Sequence, residues 1–248
     1  SRAKAVFNLH RDVTRDLVEP GYDAIIWPEN AIDIDPRNYP DVMEDIRSLV
    51  KDLDTPLIAG VVLRENGFPA NASILYGVDG DVDSTYIKRY LTPFGEFIPL
   101  RKLAEFVSPY AALVNDFKEG SELFTHEIAG EKLSPIICYE IINDGLVREA
   151  AENSGALIVQ TNSATFANTA QSSQQLAITR IRAIEHAREI LSVSTVGISA
   201  FIDNNGTVKQ ATEENISTSI AADLYLSKHQ TIADRLGGVA PLLTLLVS

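Results

Sequence analysis

Short apolar runs alternate with helix-spaced apolar stripes along most of this chain, and that alternation restricts it to layered helix-and-sheet architectures. Val6, Leu9, Val13 and Leu17 predict a helix over 3–18, and Ala24-Ile-Ile-Trp27 predicts a buried strand stopped by Pro28. Val42, Ile46, Leu49, Val50 and Leu53 repeat at i, i+4, i+7, i+8 and i+11, the stripe of an amphipathic helix. Pro56–Leu63 reads as the next strand, and strands near 71–78 and 82–88 flank the Asp79-Gly80 turn. After a long connection at 91–117, Pro135–Tyr139 predicts a strand and 144–153 a helix carrying Leu146, Val147, Ala150 and Ala151, with Gly155 as its C′ residue. Ala156–Thr161 reads as a buried strand. Ala177, Ile181, Ile184, Ala187 and Leu191 mark a helix from about 172 to 188. Strands near 190–196, 198–203, 207–211 and 217–224, with a turn at Asn204-Asn-Gly206, complete the pattern. Mixed hairpins and β-α-β units, without repeat or linker, predict a single-domain α/β layered sandwich.

Composition narrows the chemistry. The 248 residues carry 34 acidic and 21 basic side chains, a formal charge of −13, with no basic concentration for a nucleic-acid backbone. Cys138 is the one cysteine, which excludes an intrachain disulfide and a Cys₂ or Cys₄ zinc site. The histidines (His10, His126, His186, His229) are scattered, so neither metal nor cofactor is expected. The chain opens on Ser1 without a signal pattern, and both ends look cut. Val239–Ser248 carries no charge; it reads equally as a packed tail or as the start of a membrane-spanning segment.

Three strand ends carry reactive groups: Glu29 after Trp27-Pro28, Lys88 after Tyr86-Ile87, and Cys138 after Ile137. Singly, each has a plain structural explanation: a loop carboxylate, an edge charge, a small core hydrophobe. Together they form a coherent set. A thiol is only ~3% thiolate at pH 7, so forming the nucleophile costs ~2 kcal/mol, which a carboxylate base can offset. A Lys ammonium beside an attacked carbonyl supplies an oxyanion contact of the kind worth ~3–4 kcal/mol.

Trp27-Pro-Glu-Asn30, Lys88-Arg-Tyr-Leu-Thr-Pro-Phe-Gly-Glu-Phe-Ile-Pro99 and Ile137-Cys-Tyr-Glu-Ile141 together resemble the nitrilase (carbon–nitrogen hydrolase) superfamily. The resemblance implies a nitrilase-like α-β-β-α sandwich and a Glu-Lys-Cys set in this chain order. Pro93–Pro99, Gln160–Phe166, Gln175–Glu185, Ser194–Ala200 and Thr231–Gly237 are further similar to motifs of the bacterial apolipoprotein N-acyltransferases, over nearly all of 1–238. That family implies transfer of a fatty acyl chain from a phospholipid, through a Cys thioester, to the N-terminal amine of a diacylglyceryl-cysteine apolipoprotein. By position, Cys138 would be the nucleophile, Glu29 the general base and Lys88 the oxyanion contact, with the Tyr139 backbone N–H assisting. Glu96 would support Lys88, and Glu140 would line the same pocket. The resemblance also implies a catalytic domain over 1–238 lacking the family's first strand. It would sit on the extracytoplasmic face of the bacterial inner membrane, held there by segments outside this chain, with 239–248 opening the last of them.

The 91–117 connection gathers Phe94, Phe97, Ile98, Leu100, Leu103, Phe106, Val107, Leu113, Val114 and Phe117. Such a set suits an acyl chain or bilayer surface, led by Phe94, Phe97, Ile98 and Phe106, and at least two of its Phe side chains are expected to be exposed. A soluble amidase or nitrilase acting on a small amide or nitrile is the rival enzyme, and a catalytically dead interaction domain the rival without chemistry.

Overall fold

The computed structural model describes residues 2–99, 101, 116–164 and 169–237. It consists of two compact units, Ser1–Phe124 and Thr125–Ser248. The first contains helix α1 (Arg2–Leu17), strand β1 (Ile25–Ile26), helix α2 (Pro40–Leu53) and strands β2 (Leu57–Glu65), β3 (Phe68–Tyr76) and β4 (Val82–Ile87). The strands lie in the order β1-β2-β3-β4, with β1 parallel to β2 and the other pairs antiparallel. Helix α2 starts with Pro40 at its first position and buries all five residues of its stripe. Asp54, left-handed at φ 47°, ends it.

Helix α1 turns a different face inward from the one its aliphatic residues suggest. Phe7 and Thr14 are buried, while Leu9 and Leu17 are about half exposed. The reason is Trp27: Phe7 meets its ring edge-on at 6.0 Å, and its Nε1–H donates to Thr14 Oγ1 at 2.9 Å. A buried indole needs a polar partner for its N–H as well as apolar contact, and the Phe7/Thr14 face supplies both. The β2–β3 hairpin turns through Asn66 and Gly67 at φ 53° and 87°, the left-handed pair such a two-residue turn requires. The strand expected from residue 71 therefore begins at Phe68. The Asp79-Gly80 turn is present, with Gly80 at φ 83°.

The second unit contains β5 (His126–Ile128), β6 (Glu131–Ile137), α3 (Asp144–Glu152), β7 (Ala156–Thr161), α4 (Gln171–His186), β8 (Ile190–Ser194), β9 (Ala200–Ile202), β10 (Val208–Ala211) and α5 (Ile232–Leu236). Its sheet runs β10-β9-β8-β7-β6-β5, with β6, β7 and β8 parallel and antiparallel strands at both edges. The central strand β7 is buried along its whole length, which explains its apolar Ala156–Val159 run, whereas β8 alternates buried and half-buried residues over Ile190–Val193. Helix α3 is capped by the Asn143 side chain accepting from Leu146 N–H, and it buries the four apolar residues expected of it.

Three expectations fail here for physical reasons. Helix α4 buries Thr179, Arg182, Ala183 and His186, leaving Ile181 and Ile184 more than half exposed. Its inward polar groups have partners, Arg182 on the Ile141 and Ile142 carbonyls and His186 on Asp234, so burying them is tolerated. Gly155 is not the C′ residue of α3, which Asn153 caps; a Cβ at Gly155 would lie 2.9 Å from Leu226 Cβ, so close approach sets its size. Residues 217–224 form no strand and lie mostly exposed, because Ser217, Thr218, Ser219, Ala221 and Ala222 offer no apolar face to bury.

His126 in β5 is fully buried, and burial drives its imidazole down to about 4 from the usual 6.5. It is therefore neutral in the folded chain at pH 7. The unfolded chain binds a proton there first, so stability is lost as pH falls from about 6.5 towards 4. Urea unfolding across that range is expected to show this decline, and to show less of it in His126→Phe.

Candidate active site

In the first unit the chain leaves β1 along the edge of β2. Trp27 N–H donates to Ile58 O at 2.8 Å and Ile32 N–H to Gly60 O at 3.0 Å. Between them Asn30 is left-handed at φ 57°, and that bend turns Glu29 inward, where it is 6% exposed. The bend presses on β2: a Cβ at Gly60 would stand 2.3 Å from Pro28 O and 2.5 Å from Glu29 Cα. Only glycine leaves room for the Glu29 backbone there.

Lys88 follows β4 and is held by both backbone groups, its N–H donating to Asn71 O at 2.8 Å and its carbonyl accepting from Gly120 N–H at 2.9 Å. The side chain is fully buried. Its Nζ lies 2.8 Å from Glu96 Oε2, 3.4 Å from Glu29 Oε1 and 3.2 Å from Thr92 Oγ1. Glu96 also accepts from Thr92 N–H at 2.7 Å. Asn71 joins the two carboxylates, its Nδ2 donating to Glu29 Oε1 at 3.2 Å and to Glu96 Oε1. Glu29, Lys88 and Glu96 therefore meet in the first unit. Asn71 escaped sequence reasoning; its signal was a lone amide inside the otherwise small or apolar Pro69–Leu75 run.

Beyond Thr92 the chain makes a tight turn in which Phe94 N–H donates to Phe97 O at 2.8 Å. Phe94 stands at its tip, left-handed at φ 62° and 70% exposed. Holding a phenylalanine there costs about 1–3 kcal/mol. Phe97 and Phe117 are half-buried, so Phe94 is the one exposed Phe of this set among the described residues. Ile98 is buried at 8% exposure rather than presented at the surface. The Arg101 guanidinium beside Asp116 holds that carboxyl below the usual carboxylate range, and Asp116 Oδ1 accepts from Ile98 N–H at 3.3 Å. Phe106, with Leu100, Leu103, Val107, Leu113 and Val114, lies outside the described residues, as does the 239–248 tail.

In the second unit β6 ends at Ile137, two residues short of the strand end expected. Cys138 turns out of it at φ 51° and opens a tight helical turn over Cys138–Ile142. A left-handed non-glycine residue costs about 1–2 kcal/mol, and the Cys138 thiol at this bend is half-buried. Buried Glu140 lies in this turn and its Oε2 accepts from Ile137 N–H at 2.8 Å. Half-buried Tyr139 shares the turn. On the other side Gln175 Nε2 donates to Cys138 O at 3.3 Å, a contact sequence reasoning also missed. The C-terminal ends of parallel β7 and β8 bring Ser163 and Ser194 together at 3.1 Å. In α/β folds, this is the side of the sheet where ligands bind.

Chemically, the first unit holds a buried carboxylate–ammonium set suited to moving a proton and stabilising negative charge, and the second holds a thiol on a strained bend. Among the described residues no group of three or more His, Cys, Asp or Glu side chains could hold a metal ion. The family model described as carbon–nitrogen hydrolase matches residues 2–233. The chain belongs to the carbon–nitrogen hydrolase family. Curated members similar to it are apolipoprotein N-acyltransferases: that of Mycolicibacterium smegmatis is 34% identical over 73% of this chain and 32% of its own length. Those of Vibrio vulnificus (28% identical, 90% of this chain, 46% of its own length) and Geobacter metallireducens (26%, 88% and 43%) resemble it over more of the chain. The chain thus spans about a third to a half of the length of these relatives. Among solved structures, a CN-hydrolase superfamily protein from Xanthomonas campestris with an arsenic adduct in its active site has a TM-score of 0.67 at 18% identity, over 99% of this chain and 91% of its own. The amidase from Nesterenkonia sp. gives 0.68 at 15% identity, over 98% and 90%. These likenesses show the nitrilase-like fold expected from the sequence.

Gly60→Ala is expected to destabilise the carbon–nitrogen hydrolase domain by about 1–3 kcal/mol, since a methyl group there must displace the Glu29 backbone. Thermal unfolding checks this; an unchanged Tm would mean that the Glu29 bend is not packed on β2 as described.

Proposed function

We propose that this chain is the catalytic domain of an apolipoprotein N-acyltransferase. The observation that carries the reading is its 34% identity to the Mycolicibacterium smegmatis apolipoprotein N-acyltransferase over 73% of the chain. The buried Glu29–Lys88–Glu96 cluster and the Cys138 bend supply the residue types the reaction needs. The donor is a phospholipid and the acceptor the α-amine of an N-terminal S-diacylglyceryl cysteine.

In the first half-reaction the Cys138 thiol attacks the ester carbonyl while Glu29 takes its proton. Lys88 stabilises the oxyanion, with the Tyr139 N–H as a second donor, and Glu96 holds the ammonium in place. Collapse breaks the acyl–oxygen bond, Glu29 returns the proton to the departing oxygen, and lysophospholipid leaves a thioester on Cys138. In the second, the amine attacks the thioester and gives its proton to Glu29. The Cys138 thiolate departs and is reprotonated by Glu29. No net oxidation occurs, and protons balance within each half.

Exposed Phe94, with half-buried Phe97 three residues on, offers an apolar surface for the acyl chain or the bilayer. Among the described residues no helix is long and apolar enough to cross a membrane. The reading places the domain on the extracytoplasmic face of the bacterial inner membrane, anchored by segments outside this chain.

Mass spectrometry of the full-length protein incubated with phospholipid is expected to show a fatty acyl adduct on Cys138, lost in Cys138→Ala. Absence of that adduct together with hydrolysis of small amides would overturn the transferase in favour of an amidase. Lys88→Met is expected to slow acylation about 10²–10³-fold, the effect of losing an oxyanion contact, and to destabilise the fold by leaving two buried carboxylates without their ammonium.

A further inference from the structure

Helix α4 grips the Cys138 turn by its carbonyl oxygens. Gln175 and Arg182 are seven residues apart, two helical turns, and so share one face of α4. Gln175 Nε2 donates to Cys138 O at 3.3 Å, the first carbonyl of the turn. Arg182 Nε donates to Ile141 O at 2.9 Å and Nη2 to Ile142 O at 3.1 Å, the last two. Arg182 is itself fixed by Asp144 and by Glu185 at 2.5 Å. From the strand side, Glu140 Oε2 holds the Ile137 N–H at 2.8 Å. The left-handed Cys138 backbone at φ 51° is thus bracketed by a bond on the N–H of the residue before it and a bond on its own carbonyl.

We propose that Gln175 is the positioning residue of the nucleophile: its hydrogen bond to the Cys138 carbonyl keeps that residue left-handed and so aims the thiol. The inference rests on Cys138 being the nucleophile of the proposed transfer. Arg182 anchors the far end of the turn, where its ion pairs make it part of the fold. Gln175 acts at the reacting residue. Without its N–H, Cys138 can relax towards the favoured negative-φ region, and the thiol turns from its line of attack.

The test is single-turnover acylation of Cys138 in the full-length protein, followed by intact mass, with phospholipid and separately with p-nitrophenyl butyrate. Gln175→Met keeps length without the donor, and Gln175→Glu replaces the donor with an acceptor facing the carbonyl. For Gln175→Met the maximal rate is expected to fall about tenfold, with half-saturation within about twofold of wild type and Tm within about 3 °C. Gln175→Glu is expected to fall further. A maximal rate within twofold of wild type, or a loss expressed in half-saturation, would overturn the assignment. Wild-type acylation by the ester but not by phospholipid would sink the transferase reading while leaving Gln175 testable. Acylation by neither donor would sink both.

Discussion

A fully buried ammonium governs the first half of this chain. Taking Lys88 out of water costs several kcal/mol, and only close counter-charges and well-placed acceptors offset that. Glu96 at 2.8 Å and Glu29 at 3.4 Å provide the charge, and Thr92 provides a hydroxyl. The surrounding backbone follows from this need. The Asn66-Gly67 hairpin puts Asn71 of β3 where its carbonyl receives Lys88 N–H and its amide spans both carboxylates. Gly60 lets the Glu29 bend lie against β2, and packing of α1 on Trp27 fixes the strand end from which that bend departs. Buried charges with few satisfactory arrangements hold the Glu29, Lys88 and Glu96 side chains in place.

The second half meets a different demand. A thiol must leave a buried parallel strand at an angle, and a left-handed cysteine achieves this at a cost in backbone energy. Hydrogen bonds from Gln175 and Arg182, and the Glu140 carboxylate on the Ile137 N–H, hold the bend. The buried charge cluster and the thiol therefore belong to separately built units, each with its own sheet and helices.

Much of this was legible in the sequence. Helices α2 and α3 bury the apolar residues their periodicity marks, because apolar contact alone decides those faces. Glu29, Lys88 and Glu96 could be chosen from motif order, and the structure brings them together. The two misread helix faces share a cause: a polar group with a specific partner outweighed an aliphatic stripe. Thr14 and Phe7 face inward for Trp27, and Arg182 and His186 face inward for carbonyls and Asp234, displacing Leu9, Ile181 and Ile184 to the surface. Gly155 was read as a helix terminator when Leu226 dictates its size, a long-range contact no local pattern reveals. Asn71 and Gln175 were missed because a lone amide signals nothing until its partners are known.

The proposed transfer assigns the Cys138 proton to Glu29. Its most direct test is the single-turnover rate at which phospholipid acylates Cys138 in full-length Glu29→Gln, with iodoacetamide alkylation confirming an accessible thiol. The account predicts acylation slowed by at least about a hundredfold while alkylation goes to completion. Acylation of Glu29→Gln at the wild-type rate would contradict it.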